Sequence, residues 1–282
     1  MSKISLQVTK SMKLQDFLRM EGVSRRLVTR LKRTENGITR NGSFIRTVDY
    51  VNPGDIIELE TVDSGTLEPN PKLYVPIVFE NENLAVFDKP AGMPVHPSIR
   101  HQGDTLGNFF AAEYPGITFR PVNRLDRNTS GLCIIAKNAF SAAALQKNIE
   151  KVYYAVVSGY VSGIGTIDAP IAREGESIIK RKVSPQGQRA VTHYKALYSS
   201  EKYSLLEIQL ETGRTHQIRV HFAHIEHPLA GDDMYGGSTE DIERQALHCG
   251  KLKFREPVTG EMITAEAPLK DDINKLIYIN ER

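Results

Sequence analysis

Tryptophan is absent from this chain of 282 residues, and cysteine occurs only twice, at Cys133 and Cys249. Two cysteines in apolar settings supply no disulfide framework, so the chain must hold itself together by burying a core. Long apolar runs are missing too, and none approaches the roughly 20 residues of a membrane helix. The opening "MSKISLQVTKSMK" lacks the apolar middle of an export signal, so no membrane partner and a cytoplasmic location are expected. A large net charge is also lacking, at +2. What is present is ordinary for a soluble globular protein: 40% hydrophobic and 25% charged residues, in a length that suits two domains or one with an appendage.

The charge is unevenly spread. Residues 1 to 50 hold eleven Lys and Arg against four Asp and Glu. An excess of this kind attracts phosphate backbones, because neutralising them releases condensed counterions; the plain alternative is a solvated cationic face. "SMKLQDFLRMEG" sets Leu14, Phe17 and Leu18 on one helical stripe and stops at Gly22. "SRRLVTRLKRTENG" starts a second helix, with Ser24 as N-cap. Leu27, Val28 and Leu31 point inward there, and Arg25, Arg26, Arg30 and Arg33 remain for solvent or a ligand. Short strands follow around Asn41-Gly42 and "NPGD". This stretch resembles the S-four-type RNA-binding domain, in which the "SRR" helix faces RNA, and the resemblance implies an RNA-binding module over residues 1–62. "VDSGTLEPNPKLYVP", with three prolines and no periodicity, reads as a linker over 63–75.

From Pro76 to the end at residue 282 a second domain is expected. "PIVFENENLAVFDKP" reads as a hairpin. "AFSAAALQKNIE" reads as a helix capped by Asn138. "KVYYAVVSGYV" and "YSLLEIQLET" read as strands, and "THQIRVHFAHIEH" as a helix with Ile218, Phe222 and Ile225 on its apolar stripe. Strands mixed with helices in no regular alternation predict an α+β fold.

Within this domain "NRLDRNTSG" sets Asp126 between Arg124 and Arg127. A nucleophilic carboxylate must be ionised although partly desolvated, and burial alone opposes that. A close guanidinium reverses the effect, since Arg stays charged and can bind bidentately. Adjacency does not aim both neighbouring arginines at one carboxylate, so a distant partner is the better candidate. "GRTHQIRVHFAHIEHPLAGDDMYGG" offers Arg214 and Arg219.

"RLDRNTSGLCIIAKN", "KVYYAVV", "GRTHQIRVHFAHIEHPLAGDDMYG" and "ALHCGKLKFREPVTGEMITAEAPLKDD", with "VFDKPAGMPVHP" upstream, occur in the order and spacing of the RluA-type pseudouridine synthases. The resemblance covers residues 76 to 272. It implies a largely antiparallel mixed sheet flanked by helices and loops, and an enzyme that isomerises uridine in RNA. Asp126 then corresponds to the nucleophile. Tyr153 lines the uracil pocket and is a candidate for proton transfer. Arg219 pairs with the nucleophile, and Arg124 helps draw the target nucleotide from its stack. Arg127, Thr129, Arg214, His216 and Gln217 join Arg124 as candidate substrate contacts.

The N-glycosidic bond breaks, the uracil turns, and carbon 5 joins the ribose. Asp126 attacks either the ribose or the uracil ring, which leaves two routes open. No redox change or hydrolysis occurs, so no cofactor and no metal are called for. The chain departs from the family pattern at Asn123, where His is common, and at Asn128, where Asp is common; both bear on RNA contacts or loop shape. Large-subunit ribosomal RNA is the expected substrate, with transfer RNA the alternative and no obligate protein partner implied.

Two other readings compete. His216, His221, His224 and His227, with His248 and Cys249 downstream, suggest a metal site, but steps of three drift around a helix and no HExxH pattern occurs. A non-catalytic RNA-binding or ribosome-assembly protein fits the basic N-terminus but has no use for Asp126. Asp232 in "GDDMYGG" either lines the site or caps a turn.

Overall fold

The computed structural model describes residues 2–61, 67–146, 148–175 and 179–278. The first of these segments folds around its own small core. A four-stranded sheet runs in the order Ser2–Gln7, Ile56–Thr61, Ile38–Arg40, Ser43–Phe44. Helices α1 (Leu14–Met20) and α2 (Arg25–Leu31) close it, burying Leu14, Phe17, Leu18, Leu27 and Leu31. Ser24 Oγ accepts from the Leu27 amide, so the N-cap is present. The two-residue turn between Ile38–Arg40 and Ser43–Phe44 uses positive φ at both Asn41 and Gly42, which such hairpins require.

The stretch read as a linker, 63–75, is described from residue 67 onward. Residues 63–66 lie outside the described residues, but the stretch after them is tied down. Helix α3 (Leu106–Glu113) starts with a Thr105/Asn108 capping box, and the Asn108 amide also donates to Glu68 O at 2.8 Å and Gln102 O at 3.0 Å. The Asn70 amide N–H bonds back to Asn108 O, and Val75 is buried. One buried asparagine supplies the fixed partners that periodicity could not reveal.

The remaining chain builds a nine-stranded mixed sheet, so the predicted α+β class holds. Its order is Ile164–Asp168, Val191–Ser199, Tyr203–Leu210, Ile149–Ser158, Leu247–Arg255, Ser130–Ala136, Leu84–Lys89, Ile77–Glu80, and Met262–Glu266 pairs with Leu247–Arg255. All neighbours are antiparallel except Leu247–Arg255 beside Ser130–Ala136. The predicted hairpin is there, and Phe87 on its second strand meets Phe109 of α3 edge-on at 5.7 Å. Helix α4 (Ala139–Leu145) is capped by Asn138. It sends Phe140 into the core of the N-terminal segment, so the two cores meet at this helix. Helix α5 (Gln217–His224) and the C-terminal α6 (Asp271–Tyr278) complete the fold. No helix among the described residues is long and apolar enough to cross a membrane.

Candidate active site

The parallel pair at the middle of the sheet decides where the chemistry sits. Gly131 has φ +109°, and a Cβ there would lie 2.3 Å from Cys249 O. Only glycine lets the two strands approach so closely. Cys249 in turn faces Tyr153 on the next strand. Gly131, Cys249 and Tyr153 thus form one row across three strands, and the loop preceding Gly131 carries Asp126 to the end of that row.

Helix α5 supplies the partner. Arg219 donates from Nη1 to Asp126 Oδ2 at 3.2 Å. It donates from Nε and Nη2 to the two oxygens of Asp232 at 2.7 and 2.8 Å. Asp232 is fully buried, whereas the Asp126 side chain keeps 31% of its surface. The fork of the guanidinium is therefore oriented by Asp232, and the remaining nitrogen, Nη1, faces Asp126. One positive charge is divided between two carboxylates, so the charge of Asp126 is only partly offset. Burial lowers the Arg219 pKa, but the hydrogen bond and charge of Asp232, joined by Asp126, outweigh it and raise the value above normal.

Tyr235 and His216 finish this wall. The Arg219 guanidinium lies 4.9 Å over the Tyr235 ring. Tyr235 Oη accepts from the Arg181 amide and lies 2.8 Å from His216 Nδ1. With the Tyr235 hydroxyl donating to Nδ1, the ring carries its own hydrogen on Nε2, which faces Asp126 Oδ2 at 3.7 Å. Burial holds His216 below its ordinary 6.5 despite the nearby charge of Asp126. His216 sits at φ +57°, the left-handed region, at the N-terminus of α5, a backbone cost that is held in place by the bond to Tyr235.

A cleft of about 70 Å³ opens between these groups, with Arg124, Asp126, Tyr153, Arg214, His216 and Arg219 in its lining. Tyr153 is buried, and burial raises its pKa well above 10, with Cys249, Cys133 and Asp126 adding to the effect. The phenol is therefore held in its protonated form, which suits a stacking wall and hydrogen donor and not, in the RNA-free protein, a base. The cleft still admits water, because Asp126 remains partly open.

The other sequence candidates divide. Arg124 is exposed at the rim. Arg127 turns away from Asp126 and lies 3.3 Å from His101 through Nη1. Thr129 is buried, accepts from Gln245 Nε2 at 3.2 Å and donates its amide to Asp126 O, so it shapes the loop. Gln217 reaches the cleft, but its amide is spent on Thr212, the Arg214 amide, Val191 O and Thr192. These bonds brace the turn before α5. Arg214 sits at the cleft with its Nε on Arg189 O. Asn123 is buried, donating to Leu132 O and accepting from the Ile134 amide, bonds that tie it to the strand after the loop.

The clustered histidines do not converge. His221 bonds Thr192 Oγ1 and Ala169 O, and His248 bonds Ser130 Oγ and Ala267 O. Both ring nitrogens of each are thereby used. No group of three potential metal ligands occurs among the described residues.

Two residues at the back of the loop went unassigned from sequence. Lys89 is fully buried, and its Nζ donates to Pro90 O, Met93 O and Arg127 O at 2.8, 2.8 and 3.1 Å. Desolvation lowers its pKa to about 8. Arg244 donates to Asn128 O at 3.2 Å. Both lie in or beside quoted motifs, but only the fold shows that they grip consecutive carbonyls.

A sequence model described as RNA pseudouridylate synthase matches residues 83–224. That stretch contains the loop of Asp126, Tyr153 and Arg219. The chain belongs to the RNA pseudouridylate synthase family. It is 39% identical over 282 residues to the RNA pseudouridine synthase YjbO of Bacillus subtilis, covering 94% of this chain and 98% of that one. It is 38% identical over 266 residues to the ribosomal large subunit pseudouridine synthase D of Pseudomonas aeruginosa, covering 86% and 83%. Among solved structures, the human RNA pseudouridylate synthase domain containing 1 superposes with a TM-score of 0.57 at 26% identity, over 72% of this chain and 86% of that one. This pseudouridine synthase is thus an isomerase that converts uridine in RNA to pseudouridine.

Proposed function

We propose that this pseudouridine synthase modifies uridines of large-subunit ribosomal RNA in the cytoplasm. Relatives named for that substrate share about four residues in ten with it. The two thiols, Cys133 and Cys249, are both free and buried, which fits a reducing compartment. Asp126 is the nucleophile, and the reading rests on one observation: its carboxylate shares the Arg219 guanidinium with Asp232 at an open cleft walled by Tyr153.

The target nucleotide must leave its helix to be reached from all sides, at a cost of a few kcal/mol in unstacking. Arg124 at the rim is placed to occupy the space left behind and to meet phosphate. The flipped uracil then stacks on Tyr153, and its arrival removes the water that still reaches Asp126. Asp126 bonds either to the ribose, displacing the uracil as the N-glycosidic bond breaks, or to the uracil ring, with the N-glycosidic bond breaking in the following step; either route divides one hard rearrangement into easier steps. The uracil turns and carbon 5 bonds to the ribose. The proton on carbon 5 then leaves to water at the cleft mouth, relayed by the Tyr153 hydroxyl, whose oxygen accepts it while its own hydrogen is passed on. The same Arg219 that offsets Asp126 as an anion is in place to receive it when the covalent bond breaks.

The N-terminal segment, residues 1–62, is assigned the S-four-type role of holding RNA, with Arg25, Arg26, Arg30 and Arg33 exposed on and just after α2. Mapping pseudouridines across total RNA from cells with and without this protein tests the substrate. Sites lost from large-subunit ribosomal RNA are expected. Losses confined to transfer RNA would overturn the choice of RNA and leave the chemistry standing.

A further inference from the structure

Arg244 lies on the far side of the nucleophile loop from the cleft. Its Nε and Nη2 form a fork on the Asp272 carboxylate at 2.6 and 2.8 Å. Its Nη1 donates to Asn128 O and Gln245 O at 3.2 Å, and reaches Leu247 O at 3.5 Å. The side chain keeps only 10% of its surface. Gln245, the next residue, donates to Thr129 Oγ1. Two adjacent residues thus hold the loop at 128 and 129, while Lys89 holds Arg127 O from elsewhere.

The backbone of Arg244 is engaged as well. Gly231 has φ +74°, and a Cβ there would lie 2.0 Å from Arg244 O. Gly231 directly precedes Asp232, the carboxylate that orients Arg219. Arg244 therefore touches both halves of the site: its side chain fixes the loop carrying Asp126, and its main chain abuts the turn carrying Asp232. Asp272 lies in the first turn of α6, and its Oδ1 also accepts from the Ile273 amide. The direction of the Arg244 fork is therefore set by the C-terminal helix.

We propose that Arg244 is a positioning residue for the isomerisation, fixing the Asp126 loop relative to the Asp232–Arg219 pair, and that Asp272 of α6 aims it. This rests on Asp126 being the nucleophile. A fork that holds a carboxylate on two nitrogens and carbonyls on the third needs a guanidinium, and the point charge of lysine does not replace it. An error of about 1 Å between nucleophile and substrate costs on the order of 100-fold in rate, so a loosened loop slows the bond-forming step without weakening RNA binding.

The test uses the full chain and, as substrate, total RNA from cells lacking the protein, in which the wild-type enzyme restores the missing pseudouridines. Single-turnover rate, RNA affinity and melting temperature are measured for Asp272→Asn, Arg244→Lys and Arg244→Ala. Rate losses of about tenfold for Asp272→Asn and about 100-fold for both Arg244 variants are expected, with RNA affinity within about twofold. A groove of about 650 Å³, lined in part by Gly92, Asn128, Arg244 and Asp272, opens onto this pair. Added guanidinium is therefore expected to restore part of the Arg244→Ala rate. Wild-type rates per folded molecule in Asp272→Asn and Arg244→Lys would overturn the proposal, as would losses matched in full by unfolding. Asp126→Asn separates the two ideas. If it is inactive while the other variants are not, only the positioning role fails. If it still makes pseudouridine, the nucleophile reading fails and takes this proposal with it.

Discussion

Arginine does opposite work at the two ends of this protein. In the N-terminal segment Arg25, Arg26, Arg30 and Arg33 are exposed, and no ion pair joins any of them among the described residues. In the catalytic part Arg219 and Arg244 are nearly buried, each forked onto a carboxylate. The first set is free to meet phosphate, where a mobile, hydrated cation costs nothing until RNA arrives. The second is already spent on the protein, so it acts through geometry. Residue type alone does not separate the two uses; burial of the guanidinium on a forked carboxylate partner does.

The sharpest way to break this contrast is at Asp126, the proposed nucleophile. Asp126→Asn is expected to lower product formation by about 1000-fold or more while RNA affinity, measured by filter binding, changes only a few-fold. Loss of RNA binding in that variant would mean that the two regions are not separate in function. Next in size is Arg219→Ala, which leaves Asp232 buried without its partner. A loss of about 3–5 kcal/mol in unfolding free energy is expected along with lost activity. An unchanged denaturation midpoint would show that this arginine is no more committed than those of α2.

Replacing Arg25, Arg26, Arg30 and Arg33 together by alanine probes the other side. RNA affinity should fall by about tenfold or more, and its log–log salt slope should flatten by about 0.7–0.9 for each phosphate no longer neutralised. Melting temperature should hold, and the rate at saturating RNA should survive. A stability loss like that of Arg219→Ala would erase the distinction.

The smallest expected effect is in acid. All eight histidines lie at or beyond residue 96. His216, His221 and His248 are each kept below their ordinary 6.5 by burial. A lowered folded value means that the unfolded chain binds more protons. The stability these groups contribute is whole above pH 6.5 and is lost as pH falls below it. A drop of several degrees in the melting temperature is expected between roughly pH 7.5 and 5.5, softened by His221→Gln. A melting temperature flat across that range would mean that these imidazoles accept protons without cost.

Much of the local structure was legible because its causes lie within a few residues. Ser24 and Asn138 cap helices as their positions suggest, and the stripes of Leu14, Phe17 and Leu18 mark a buried face. Asp126, Tyr153 and Arg219 could be singled out through the motifs around them. The uses of Gln217 and Asn123 could not, since a polar side chain near a site reads alike whether it faces substrate or braces a turn. The anchored half of the linker escaped for the same reason: its bonds end on Asn108, about 40 residues away.

By itself the sequence determined the helix caps and stripes, the α+β class, the basic surplus at the start and the set of residues available for chemistry. The tertiary structure alone decided which of them meet. Arg219 reaches Asp126 across 93 positions, Asp232 claims two of its three donor nitrogens, and Gly131 lets two strands close beside Tyr153. Caps and stripes follow from neighbours along the chain, whereas these meetings follow from strand order and close packing, which no short stretch of sequence contains.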